Sequence, residues 1–295
     1  MFKQIDIRDA QQMMSNLLYC ALALTAFAGN SLLCRWALAD GLIEPADFTV
    51  IRLGSGAFSL YVLTLISLPA QTPFSVLAHG SFRGALALFI YAALFSFAYV
   101  SLDTATGALI LFGAVQFTLI VLYLSGGKRL SNTEWLGVVL AISGFVVLLL
   151  PSATTPSVTG FLLMLIAGGA WGAYTWFGAK SQNPLADTAA NFIYTLPFCL
   201  VMYIVSGKPQ QLDNHGVWLA VVSGVLTSGI GYAVWYRVVP HLSTLQASIS
   251  QLTVPFLAAV AGMVILGEHL ALQFWSASVL VLLGILTLNL SEQPD

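Results

Sequence analysis

Charged side chains make up only 7% of this 295-residue chain, against 58% hydrophobic residues, where a soluble domain carries about a quarter charged residues. Only short tails and loops lie between the apolar runs, so function is expected between membrane helices and not in an appended soluble domain. No basic run of six to eight residues occurs, which excludes nucleic-acid binding of the usual electrostatic kind; the net charge of −2 points to no partner. Cysteine is scarce too. Cys20, Cys34 and Cys199 are odd in number and lack CxxC spacing, which reads as buried small hydrophobes and not as disulfides or a metal site. No pattern calls for a cofactor. The acids Asp103, Glu134, Asp187, Asp213 and Glu268 fall at the ends of apolar runs or in loops, and no His, Asp or Glu stands mid-run as a proton relay requires. His79, His215, His241 and His269 lie near loops without HExxH spacing, and Leu53-Gly54-Ser55-Gly56 lacks the first glycine of a nucleophile elbow. An intramembrane enzyme is therefore not expected.

What the chain has in abundance is long apolar runs. A membrane helix needs roughly 20 mostly apolar residues. Ten runs approach or exceed that: Asn16 to Leu38, Phe48 to Leu68, Phe82 to Leu102, Gly107 to Leu124, Trp135 to Pro151, Gly160 to Phe177, Ala189 to Val205, Val217 to Val239, Leu245 to Leu266 and Phe274 to Leu290. None alternates polar and apolar residues, so a β-barrel is excluded and the bilayer's demand for satisfied backbone groups leaves a helical bundle. The fold class is an all-α polytopic membrane protein. The first run has no small-residue cleavage site behind it and reads as a retained helix. With the N-terminus inside, the cytoplasmic segments hold Lys3, Arg8, Arg83, Lys128, Arg129, Lys180 and Arg237, whereas the outer loops hold Arg35 and Lys208. Basic residues are retained inside, so both termini are expected to be cytoplasmic.

The two halves resemble each other at a displacement of about 140 residues. Gly127-Lys128-Arg129-Leu130 matches Gly267-Glu268-His269-Leu270, Trp135 matches Trp275, Gly144 matches Gly284, Gln116-Phe117 matches Pro255-Phe256, and Ala46-Asp47 matches Ala186-Asp187. Five helices per half is odd, so the second copy lies upside down. The expected division is residues 1–151 and 152–295, two inverted five-helix repeats making ten transmembrane helices. Lys-Arg at the inner hairpin and Glu-His at the outer one is the substitution the positive-inside rule would impose.

On these residues the chain resembles the drug/metabolite transporter superfamily, in particular its ten-helix EamA-type members. Pro255-Phe256, Gly267-Glu268-His269-Leu270, Trp275 and Gly284 repeat that family's closing pattern of a half, and Ala170-Trp171-Gly172-Ala173-Tyr174 resembles the opening of a repeat. The first half departs from the pattern at Gln116 and Lys128-Arg129. Among the family's branches the nearest is the YddG type, which exports aromatic amino acids. The resemblance implies a substrate path between the halves, outward transport, and residence in a bacterial inner membrane.

Polar groups deep in a bilayer are costly and become candidates for a cavity, interhelical packing being the bland alternative. These are Asn30, Gln116, Gln246 and Gln251. Tyr91, Phe95 and Tyr99 recur on one helical face, and Trp171, Tyr174, Tyr232 and Trp235 lie away from, or just inside, the ends of their runs, where hydrocarbon leaves a polar ring tip unsatisfied. Pro197 and Pro255 each free a backbone carbonyl one turn earlier in their helices, which bends a helix or offers an acceptor to solute, Pro255 being the better candidate. Arg52 is expected to snorkel outward and pair with Asp40, Glu44 or Asp47, with contact to a departing carboxylate as the alternative. Gly168 and Gly172, at GxxxG spacing, read as a helix contact.

Together these make a carrier in a lipid bilayer for a small-molecule substrate, working by alternating access. An uncharged cavity of amides, hydroxyls and aromatic faces suits amino acids with aromatic or apolar side chains. Drugs and phosphorylated metabolites are the alternatives, the latter disfavoured because no Lys or Arg is expected in the cavity. The oligomeric state is left open, a monomer being compatible.

Overall fold

The computed structural model describes residues 7–68, 73–127, 129–150, 156–179, 181–207, 212–242 and 250–291, and among them every regular element is helical. Ten helices carry the architecture: α1 (Ile7–Ala39), α2 (Pro45–Ser67), α3 (Phe82–Tyr99), α4 (Thr104–Ser125), α5 (Asn132–Leu148), α6 (Val158–Gly178), α7 (Pro184–Ser206), α8 (Asn214–Val238), α9 (Val254–Ile265) and α10 (Leu272–Ser291). Among the described residues, seven of these are long and apolar enough to cross a membrane. The other three, α5, α9 and α10, are shorter apolar helices.

Helix starts follow local chemistry. Ser131 caps α5 in a reciprocal box with Glu134, and Ser81, Ser157 and Asn183 accept from backbone amides that open α3, α6 and α7, satisfying donors that would otherwise be orphaned. Prolines open α2 and α7 in the first turn, where the missing N–H costs nothing. Gly127 and Gly267, at matching hairpins, turn with φ of +83° and +66°.

Two departures concern the second half. The ninth run is interrupted: residues 243–249 lie outside the description, Ser250 and Gln251 are helical, Leu252 and Thr253 form a turn, and Pro255 sits in the first turn of α9, which starts at Val254. It therefore frees no carbonyl inside a helix, because at that position no intrahelical bond is lost. In α8 the helix widens into a π segment, Ser223–Ile230, between α-helical stretches Asn214–Val222 and Gly231–Val238. Gly224 and Gly229 lie there against α2, close to the Arg52 carbonyl and to Ser55 and Ser59.

Small residues set the tight contacts. A Cβ on Gly168 or Gly172 would meet the Leu111 carbonyl at 2.6 Å or Val115 carbonyl at 3.2 Å, so α6 lies along α4 through the expected GxxxG face. Gly137 faces Gly284 and Leu288 while Gly144 faces Ala277 and Val281, so α5 and α10 run antiparallel. The buried centre holds Phe48, Phe95, Tyr99, Phe192 and Arg52. Phe58, Ile204, Val264 and Leu272 stand 68–83% exposed on the outside, an apolar rind fit for lipid and not for water.

Candidate functional site

The π segment of α8 explains the centre of the molecule. Widening by one residue per turn is common at functional sites, and here it turns Ser223, Thr227 and Ser228 inward together. Ser223 Oγ donates to Asn30 Oδ1 at 2.7 Å, and Thr227 Oγ1 lies 3.3 Å from the same oxygen. Asn30 Nδ2 donates to the Tyr91 hydroxyl at 3.3 Å. Arg52 Nη2 donates to that hydroxyl at 3.1 Å, and Arg52 Nε to Ser228 Oγ at 3.4 Å. One polar cluster thus joins α1, α2, α3 and α8.

Aromatic rings close over it. Trp171 stacks on Tyr232 at 5.3 Å between centroids and 22° between planes, and lies 4.8 Å from Tyr91. Tyr91 meets Phe95 at 5.4 Å. Phe27, Asn30, Ser31, Tyr91, Phe95, Leu111, Phe112, Trp171, Thr227, Ser228 and Tyr232 line the cavity between them, which leaves about 20 Å³ of open space. That is room for a water or so, far below the roughly 300 Å³ of a site holding a small-molecule ligand. A space of that size admits a solute only if the helices part.

Of the twelve candidate residues, Asn30, Tyr91, Phe95, Trp171 and Tyr232 meet at this cavity. Three more stand one ring behind its wall. Tyr99 packs edge-on to Phe95 at 4.7 Å and donates to the Thr104 carbonyl; Tyr174 stacks on Trp171 and contacts Thr188; Trp235 meets Phe27 at 5.7 Å. Gln116 and Gln251 are half-buried and are not among the lining residues, nor is Pro255. Gln246 lies outside the described residues.

Arg52 overturns its expectation. It is 1% exposed and forms none of the ion pairs among the described residues. Its guanidinium lies 5.0 Å from the Phe95 ring centroid and 5.3 Å from that of Tyr91. Snorkelling needs a lipid-facing position, whereas Arg52 faces inward, walled by α3 and the π segment. A buried charge therefore lies directly behind the cavity wall, bonded to Tyr91 and Ser228, although Arg52 does not itself line the cavity. The signal was present in the sequence: a cation about one turn inside an apolar run is expensive wherever it lies. Nothing in the sequence indicated that α8 would widen to supply Ser228.

A second constellation lies at one end of the bundle. Arg35, at the end of α1, donates to the carbonyls of Tyr99 and Val100 at 3.0 Å each, and its Nε lies 3.4 Å from Glu268 Oε1 and Nη2 3.8 Å from Asp103. Glu268, in the α9–α10 hairpin, accepts from the backbone N–H and hydroxyl of Thr104 at 3.0 Å. Burial pushes its carboxyl above the ordinary carboxylate range, a rise opposed by the Thr104 bonds and by Arg35 and assisted by Asp103. This clasp ties α1, the α3–α4 turn and the α9–α10 hairpin together above the cavity's Arg35 end.

A membrane-spanning helical bundle closed around a small polar and aromatic cavity is the build of a solute carrier. The model of the EamA-like transporter family matches residues 158–290. An uncharacterized protein of Pseudomonas aeruginosa is 49% identical over 269 residues, 91% of this chain and 92% of its own. A probable amino-acid metabolite efflux pump of Escherichia coli K12 is 24% identical over 66% of this chain and 70% of its own length. A crystal structure of a protein sharing 18% identity superposes with a TM-score of 0.63 over 94% of this chain and 98% of that one, which shows the fold. The second half of the chain thus carries an EamA-like transporter domain. The protein is a multi-pass membrane protein and a transporter, not an enzyme.

Proposed function

We propose that the protein exports amino acids with aromatic or apolar side chains, by alternating access through the central cavity, between two inverted five-helix repeats. The observation that carries the substrate class is the cavity wall: the rings of Tyr91, Phe95, Trp171 and Tyr232 face a cluster of amide, hydroxyl and guanidinium groups. Rings supply apolar area for a side chain, and the polar cluster supplies hydrogen bonds for the backbone end of an amino acid. A phosphate monoester, with about two charges, finds only one cation there.

The repeat reading is supported by packing. Under exchange of α1 with α6, α2 with α7, α3 with α8, α4 with α9 and α5 with α10, the α3–α6 contact becomes α8–α1, and the α4–α6 contact becomes α9–α1; all four are present. The α2–α7, α4–α9 and α5–α10 contacts map onto themselves. With cytoplasmic termini in a bacterial inner membrane, the Glu268 clasp lies on the outer face, and its closure holds the cavity shut toward the outside. Rocking of the halves would break the clasp, open the outer side and close the inner one.

The test is flux from loaded proteoliposomes. Phenylalanine and methionine should leave and a sugar phosphate should not, with Trp171→Ala reducing phenylalanine efflux while the yield of folded protein stays constant. Transport of the phosphate with exclusion of both amino acids would overturn the reading.

A further inference from the structure

Arg52 is a fully buried cation, and its chemistry is incomplete. Nε and Nη2 each have a partner, but Nη1 is sealed from solvent and has none. Uncompensated burial of an ionised group costs several kcal/mol even after relaxation. No acid comes within ion-pair distance of Arg52 among the described residues, and its neighbours are the neutral Tyr91, Phe95 and Ser228. A side chain this expensive, held in one orientation by two hydrogen bonds and two ring faces, lacks only its counter-charge.

The surrounding groups also present donors. Tyr91 Oη already accepts from both Arg52 and Asn30, which leaves its own O–H to donate. Ser228 Oγ accepts from Arg52 Nε and likewise keeps a proton. Asn30 directs its oxygen toward Ser223 and Thr227 and its nitrogen toward Tyr91, the cavity side. A cluster with one cation, no acid and two hydroxyls, of Tyr91 and Ser228, that accept from that cation and can still donate is complementary to an anion, and guanidinium is the side chain whose planar edge matches a carboxylate.

We propose that Arg52 is the carboxylate anchor of the transported solute: Nη1, with the Tyr91 hydroxyl beside it, takes the carboxylate, and the solute's apolar part lies against Trp171 and Tyr232. The proposal deepens the amino-acid reading above and rests on it for the identity of the site. It adds a ranking that reading does not contain. The carboxylate is required, whereas the ammonium, which meets no acid here, is dispensable. Seating the solute parts the cavity walls and brings Nη1 into the enlarged space.

The probes are matched pairs: 3-phenylpropionate against 3-phenylpropionamide, and phenylalanine against phenylalaninamide, measured by ligand-dependent thermal stabilisation of the purified full chain in detergent. A hydrogen bond to a charged group is worth about 1.5 to 3 kcal/mol, so each acid should bind about ten- to a hundredfold more tightly than its amide. Arg52→Gln should erase that ratio, and Arg52→Lys, which keeps the charge but not the planar edge, should retain part of it. If Arg52→Gln does not fold, the wild-type pairs decide alone. Equal stabilisation by acid and amide, or an acid preference that survives in Arg52→Gln, would overturn the proposal. An acid preference without amino-acid flux in proteoliposomes removes the transport reading and leaves the anchor; flux of phenylalanine and its amide alike removes the anchor and leaves the transport reading.

Discussion

Replacing Gly284 by alanine tests the packing on which the bundle's last helices depend. A Cβ placed there would lie 2.5 Å from the Gly137 carbonyl oxygen, 2.6 Å from the Ala141 nitrogen and 2.9 Å from the Ala141 Cβ. Two of these are backbone atoms, which have no rotamer by which to escape, so the methyl is accommodated only if α5 and α10 part by about 0.9 Å to reach ordinary contact. A gap of 0.5 to 1 Å forfeits about a quarter to a half of each dispersion well along the face, and overpacking of this kind costs about 1 to 3 kcal/mol. Against this stands a helix-propensity gain of at most about 1 kcal/mol. Gly54 supplies the control: it is mid-helix in α2, and a Cβ there meets nothing within 4 Å. Thermal unfolding in detergent should therefore show Gly284→Ala melting a few degrees below wild type and Gly54→Ala at or above it. If Gly284→Ala is as stable as Gly54→Ala, the close α5–α10 contact is not what holds these helices together.

Two further outcomes follow from the clasp and the hairpins. Because burial raises the Glu268 carboxyl above its ordinary value, the fold favours its neutral form; its stabilising contribution is complete below that ordinary range and is lost as pH rises through the raised value. Wild type should then gain stability relative to Glu268→Gln as pH falls from about 7 to about 5, while Glu268→Ala, which strands the Thr104 amide, should cost about 1 to 3 kcal/mol; wild type losing ground to the glutamine variant on acidification would refute the sign. For topology, cysteines at Arg129 and His269, in a background without Cys20, Cys34 and Cys199, should be labelled by an impermeant reagent from opposite sides of the membrane, and labelling from one side would refute the inverted arrangement.

Composition and run length alone dictated the membrane and the helix, because hydrocarbon offers the backbone no partner and penalises charge regardless of how the helices pack. Helix ends were equally local: Ser131 with Glu134, and Gly127 and Gly267 at the hairpins, act within a turn of their own positions. Part of the aromatic wall was legible for the same reason, since Tyr91, Trp171 and Tyr232 carry polar ring tips that hydrocarbon leaves unsatisfied and Phe95 shares a helical face with Tyr91, whereas Phe27 and Phe112, which also line the cavity, carried no such signal.

What only the tertiary structure decided is which of the costly polar groups face one another. Gln116 and Arg52 are both expensive in a bilayer and neither lines the cavity, yet Arg52 is hydrogen-bonded to two residues that do, Tyr91 and Ser228. The choice depends on the rotation of each helix and on the π widening of α8, and both are set by packing between helices more than 100 residues apart, such as the approach of Gly224 and Gly229 to α2. Likewise Glu268 was legible as a hairpin residue, but its grip on Thr104 and Arg35 exists only because the α9–α10 hairpin folds back onto the first half of the chain. Periodicity within a run specifies how much of a helix is apolar; the neighbour that covers each face, and hence the partner of each buried charge, is a property of the assembled bundle.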